Sequence, residues 1–255
     1  MSGIHGDGRS IIGPEFTGDD GSAAPAVAAA LEAYGAKRGS EHDVVAAIAA
    51  SRLLVPVVAD DGDMALPTLV GRDGRRAVLA FTGAPALAAW RPDARPVPVA
   101  TRNVCLAALD EDAAAVLVDV AGPVPVTVAG ARLAALAAGD PPPEPHADPD
   151  VLAAVHAATR DEPTVTRVRV APSATADLTV ELRTTEPGDH QEPARRAGTA
   201  GDPGHRDPAH RTGTAGDTAR QELARRVAAR LNAYLPGRLA RGVAFAVVPE
   251  GAGTR

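Results

Sequence analysis

Aromatic residues make up only 2% of this 255-residue chain, and it holds one cysteine, Cys105, and one lysine, Lys37. A single cysteine excludes an internal disulfide and any cysteine metal cluster. The lone lysine follows no glycine-rich loop, which excludes a phosphate-cradling P-loop. No apolar run reaches the roughly 18 residues that a membrane-crossing helix requires. The first residues, MSGIHGDGRS, lack the basic start and apolar stretch of a signal peptide. A soluble cytoplasmic protein with no membrane partner is expected. The net charge of −6 removes the basic face that a dedicated nucleic-acid binder uses against phosphates. What is abundant is small. Hydrophobic residues form 45% of the chain, largely Ala and Val, and burial stabilises by roughly 25 cal/mol per Å², so small cores are expected.

The most informative stretch runs from Asp63 to Val99. Met64–Val70 and Arg75–Phe81 are apolar-rich, and Gly71-Arg72-Asp73-Gly74 between them is a hairpin signal. Thr82 is placed to cap a helix ending at Trp90, ahead of Pro92, and Arg95–Val99 then reads as extended.

Before this stretch, residues 1–22 form a Gly- and Asp-rich lead-in. Pro25–Tyr34 has helical apolar spacing, Ser40 and Asp43 form a capping box for a second helix, and Arg52–Ala59 is an apolar strand. Pro56 inside that strand implies an edge or a bulge. After the central stretch come a helix at Thr101–Leu109, valine-rich strands at Ala115–Val120 and Val124–Val128, and a short helix at Gly130–Ala138. The connections favour antiparallel pairing.

Two domains are expected, each a small mixed α+β unit with largely antiparallel sheets. The first spans 23–140, and 141–149 (PPPEPHADP) is a proline-rich spacer. The second spans 150–255 in the order helix, strand, strand, helix, strand. Thr166, Val168 and Val170 face one way in the first strand and Leu178, Val180 and Leu182 in the second, and the opposite faces set Arg167 and Arg169 against Glu181 as a cross-strand charge pair. A sheet apolar on one side is covered on that side only, so the second domain should be two-layered. Between its second strand and last helix, residues 186–217 carry a polar heptad twice, at Arg196–Asp202 and Arg211–Asp217, and are expected to be a disordered insertion.

Five stretches together resemble the SseB family in its actinobacterial form: Ile12–Gly21 (IGPEFTGDDG), Arg52–Val58 (RLLVPVV), Met64–Arg76 (MALPTLVGRDGRR), Ala89–Val99 (AWRPDARPVPV) and Asp119–Val124 (DVAGPV). They cover roughly residues 12–138, and the C-terminal part looks like the second domain of such proteins. A proline would be more usual at Gly13. The resemblance implies the α+β fold but transfers no catalytic residue and no cofactor.

The residues themselves point the same way. Cys105 reads as a small apolar residue in a helix–sheet contact rather than a nucleophile. His205 and His210, with Asp202 and Asp207, are the one crowd with metal-ligand chemistry, but they sit in the expected insertion without a rigid surround. There is no Gly-x-Ser-x-Gly elbow and no calcium loop. What remains is positive charge around the hairpin. Arg72, Arg75 and Arg76, with Trp90, Arg91 and Arg95, are the candidate contact for an anion or an acidic partner surface. The expected function is non-catalytic protein interaction, regulatory in kind, with another protein as partner. The rival expectation is a small-molecule-binding protein or enzyme with a pocket between the domains.

Overall fold

The computed structural model describes residues 16–60, 63–65, 68–72, 74–185, 212–235, 238–239 and 241–250. The chain divides into two compact units: residues 1–150 with 237–241, and residues 151–236 with 242–255. The chain is α+β, with mostly antiparallel strands in the first unit; in the second, expected to be largely antiparallel, one of the two strand pairs is parallel. Among the described residues no helix is long and apolar enough to cross a membrane.

The first unit opens with α1 (Pro25–Gly35) and α2 (Glu41–Ala49). The capping box at Ser40 forms as its spacing predicts. The Ser40 hydroxyl accepts from the Asp43 amide at 3.1 Å, and the Asp43 carboxylate accepts from the Ser40 amide at 2.8 Å. The strands are β1 (Arg52–Asp60), β2 (Asp63–Ala65), β3 (Thr68–Val70), β4 (Arg76–Ala80), β5 (Arg95–Ala100), β6 (Ala115–Val118) and β7 (Val126–Ala129). Between them lie α3 (Ala84–Trp90) and α4 (Thr101–Asp110), and α5 (Gly130–Ala138) follows β7.

Met64–Val70, expected as one strand, is two. β2 folds back on β1 with Val58 opposite Ala65, while β3 pairs with β4 with Val70 opposite Arg76. Pro67, which cannot donate to a ladder, falls in the gap between them. The hairpin signal is confirmed by the Gly74 amide donating to the Gly71 carbonyl at 3.0 Å. Gly83, not Thr82, caps α3, and the Thr82 side chain is used elsewhere.

One sheet runs β3-β4-β6-β7 and another β2-β1-β5, joined by a single bridge between Leu54 and Phe81. β4 and β6 are parallel and the other pairs antiparallel. Side chains alternate cleanly between two cores, as period-2 strands require. Leu53, Val78, Ala80, Val116 and Val128 face the layer of α1, α2, α4 and α5, whereas Leu54, Leu79 and Phe81 face α3 through Leu87.

The prolines of β1 and β5 obey the backbone alternation. Leu54 exchanges both bonds with Phe81, so residues 54 and 56 point toward β4 and residues 53, 55 and 57 toward β5. Pro56 thus lacks its amide where the β1–β4 pairing has already ended at one bridge. On β5, Val97 lies opposite Val55, so Pro96 and Pro98 turn their missing amides to the outer edge. That edge is closed to further strands.

The second unit contains α6, whose span begins at Pro149 and ends at Thr159, with β8 (Val165–Ala171), β9 (Leu178–Thr184), α7 (Thr212–Tyr234) and β10 (Val243–Pro249). The sheet order is β10-β9-β8, with β10 parallel to β9 and β8 antiparallel. Leu178, Val180 and Leu182 are fully buried, as are Val151, Val155 and Val227 of the helices, while Thr179, Glu181 and Arg183 on the opposite face are part-exposed. This is the two-layered arrangement. α7 starts at Thr212 rather than Thr218, its first turns supported by an Arg220–Asp217 pair at 2.6 Å. The rest of the expected insertion, 186–211, lies outside the described residues, as do residues 1–15 of the lead-in.

Glu162, buried at the foot of α6, receives Arg226 at 2.8 Å and Arg230 at 2.9 Å from α7. The hydrogen bond from Arg226 is the largest influence and holds the Glu162 carboxyl below the usual glutamate range. An acid with a depressed folded pKa adds stability above its unfolded value, near 4.3, and loses it as pH falls through the folded value. The hydrogen-exchange protection factors of the β9 amides, corrected for intrinsic rate, should therefore fall on acidification below about pH 4.3, and Glu162→Gln should flatten that acid limb. An unchanged limb in the variant would remove Glu162 as its source.

Candidate functional site

Two polar clusters and one surface organise the first unit. The first cluster lies at the C-terminal ends of the parallel strands β4 and β6. Arg52 grips Asp19 with Nε at 2.5 Å and Nη2 at 2.8 Å, and donates to the carbonyls of Thr82 at 2.7 Å and Ser22 at 2.5 Å. Beneath it, Asp119 accepts from the Thr82 amide at 2.8 Å and the Thr82 hydroxyl at 2.6 Å. Asp119 is buried at φ +54°, a left-handed conformation that Asp tolerates better than most side chains. Burial pushes its carboxyl above the usual aspartate range, against the two Thr82 bonds. The Ala84 amide, at the start of α3, donates to the Gly21 carbonyl at 2.7 Å. The lead-in loop therefore fills the space at which the parallel strands would otherwise receive a ligand.

The second cluster is a chain of buried charge. Arg132 of α5 is fully buried, with Glu41 of α2 at 2.8 Å and Asp148 at 3.3 Å. Arg238 reaches Asp148 at 2.8 Å and Asp150 at 3.4 Å. The Asp150 carboxylate also accepts from the Ala131 amide at 3.0 Å, satisfying the first turn of α5. Burial raises the Glu41 carboxyl above the usual range, while Arg132 and the Thr127 backbone amide lower it.

The surface is the hairpin end. Gly71 donates to the Arg75 carbonyl at 2.8 Å, which by alternation turns the backbone of Thr68 and Val70 away from β4. β3 ends its sheet, so these groups face outward without a strand partner among the described residues. Leu69 is 39% and Val70 66% exposed. Of the candidate contact residues, Arg72 and Arg75 are exposed at this turn. Arg76 starts β4 and donates to the Glu111 carbonyl, just past α4. Arg95 lies opposite Val57 on β5, separated from β3 by β1 and β4. Arg91 is engaged with Asp93 at 3.1 Å. Trp90 is half-buried against Phe81, with ring centroids 5.5 Å apart, and belongs to the α3 core. Arg72, Arg75 and Arg76 thus share one strand end, with Arg91, Arg95 and Trp90 on other elements.

A family model, the SseB protein N-terminal domain, matches residues 27–135. Those residues are an SseB N-terminal domain. No curated protein and no solved structure matches the chain.

Within the SseB domain the buried groups serve the scaffold. Cys105 is packed among α4, α5 and sheet residues, and burial pushes its thiol up to about 12. A thiol buried and shifted in this way is held as the neutral form at neutral pH. Among the described residues no group of three His, Cys, Asp or Glu could hold a metal. His205 and His210 lie outside the described residues. Sequence reasoning missed the Arg52 cluster, although three of the stretches that carry the family resemblance, Ile12–Gly21, Arg52–Val58 and Asp119–Val124, supply Asp19, Arg52 and Asp119 to it. Their common purpose was the available signal.

Proposed function

We propose that this chain is a non-catalytic docking protein of regulatory type, working in the cytoplasm, whose SseB domain receives an extended segment of another protein along β3. On this reading the second unit is the C-terminal domain of an actinobacterial SseB protein. The observation that supports it is the contrast between strand edges. Pro96 and Pro98 blunt the outer edge of β5, while Thr68 and Val70 turn their backbone groups outward without a strand partner among the described residues. Folded proteins manage free edges because such edges recruit strands, so an open one with exposed Leu69 and Val70 is a docking feature. Arg72 and Arg75 beside it favour an acidic approach.

The test is a pull-down with the full chain from extract of the native host. Wild type should enrich a protein that Val70→Glu plus Arg72→Glu releases, while Arg38→Glu, on the far-separated α1 connection, retains it. Equal recovery by the Val70/Arg72 variant would remove β3 as the docking edge.

A further inference from the structure

A cleft of about 730 Å³ lies wholly within the second unit, between the flank of α6 and the free edge of β8. Its apolar floor is Ala153 and Ala157 of α6 with Val165 and Val168 of β8, and its charged lining is His156, Arg160 and Arg167. Among the described residues no acidic side chain lines it. Among the described residues the ion-pair partner of Arg160 is Asp161, at 3.9 Å with both side chains about three-quarters exposed, at 77% and 74%.

The neighbouring register sharpens this imbalance. Arg167 stands directly opposite Arg183 on the outer face of the sheet. Like charges in opposite positions destabilise a sheet. One step along, Arg169 and Glu181 form the expected unlike pair at 3.6 Å, so the strands accommodate a matched pair in the adjacent position. Among the described residues neither Arg167 nor Arg183 has an ion-pair partner. A cross-strand repulsion kept beside a cleft with two more basic groups calls for an external anion to offset it.

The shape of the anion's carrier follows from the wall. Four consecutive β8 residues, 165 to 168, line the cleft, and β8 has a strand neighbour on one side only. β8 therefore presents the cleft with a sheet edge, interrupted by the register shift between Val165 and Arg167. An extended polypeptide laid there extends the sheet by one strand, and its alternate side chains meet the basic rim. We infer that this cleft binds an acidic, extended peptide segment as a fourth strand, at a site separate from the β3 edge.

The probe is a fluorescein-labelled heptapeptide of alternating glutamate and valine, titrated by anisotropy against the full chain at low salt. The alternating lysine–valine peptide and a single-stranded DNA 12-mer serve as controls. Binding of the acidic peptide alone is expected, weakened at least about tenfold by Arg160→Glu plus Arg167→Glu and partly by Arg167→Gln. Slower hydrogen exchange in β8 should accompany it. No binding at millimolar peptide, equal binding of either control, retention by the double variant, or binding without β8 protection would each overturn the inference. Because Val70→Glu plus Arg72→Glu should leave this binding intact, failure here and failure at β3 are read separately.

Discussion

Replacing Arg132 with alanine is expected to destabilise the first unit by about 3–5 kcal/mol, the range for removing one partner of a buried ion pair. The side chain is fully buried, and its loss leaves Glu41 with no bonded cation and Asp148 with Arg238 alone. Trp90 is the only tryptophan and packs on Phe81 in this unit, so its fluorescence in a urea titration follows the relevant transition without the second unit. Adding Glu41→Gln to Arg132→Ala should recover part of the loss, because the stranded charge is then gone. The pH dependence has a definite sign. Burial raises the folded pKa of Glu41, so the folded state binds its proton more tightly than the unfolded chain does. Stability from this group is greatest below the unfolded value and falls as pH rises toward the folded one. Without the opposing Arg132 charge the rise is larger, so the deficit of the variant should shrink as pH is lowered from neutrality toward about 4.5. A deficit below about 1 kcal/mol, flat with pH, would mean that water, not Arg132, neutralises Glu41.

Asp119→Ala is expected to cost about 2–4 kcal/mol, because it strips the partners from a buried amide and a buried hydroxyl at Thr82, each worth roughly 1–3 kcal/mol when left unsatisfied. The second consequence is local. Thr82 also offers its carbonyl to Arg52, and Gly83 sits under the lead-in loop through the Ala84–Gly21 bond. Residues 16–23 should therefore exchange their amides faster in the variant, before the core opens. Asp119→Asn separates the causes. Asn tolerates the φ of +54° and still accepts the Thr82 amide, so it should cost less than about 1 kcal/mol. An Asn variant as unstable as the Ala variant would mean that the charge on Asp119, not its hydrogen bonds, holds the strand ends.

Much of this architecture is legible in the sequence because it rests on local rules. The capping box at Ser40, the Gly71–Gly74 turn, the alternation of Leu178, Val180 and Leu182, and the Arg169–Glu181 pair all follow from spacing alone. Long-range partners are not written locally. Nothing near Thr82 says that its hydroxyl bonds Asp119, 37 residues on, instead of capping α3. Nothing near Arg132 says that it is buried against a glutamate 91 residues earlier. The candidate surface was legible in part. A cluster of arginines is visible as composition, but which of them share a strand end depends on β1 and β4 intervening before Arg95. The β8 cleft is not legible in the sequence because the pairing of Arg167 with Arg183 depends on a register shift after Val165.

The pyrrolidine rings at positions 96 and 98 also bear on stoichiometry. Edge-to-edge growth of sheets needs two receptive borders in each molecule, one to give and one to take. In the SseB domain those rings seal the β5 border of the β2-β1-β5 sheet, whereas β3 borders the other sheet with Leu69 and Val70 exposed. A copy that docked its β5 border on the β3 of another would meet rings in place of amide donors, so growth by that pairing is disfavoured.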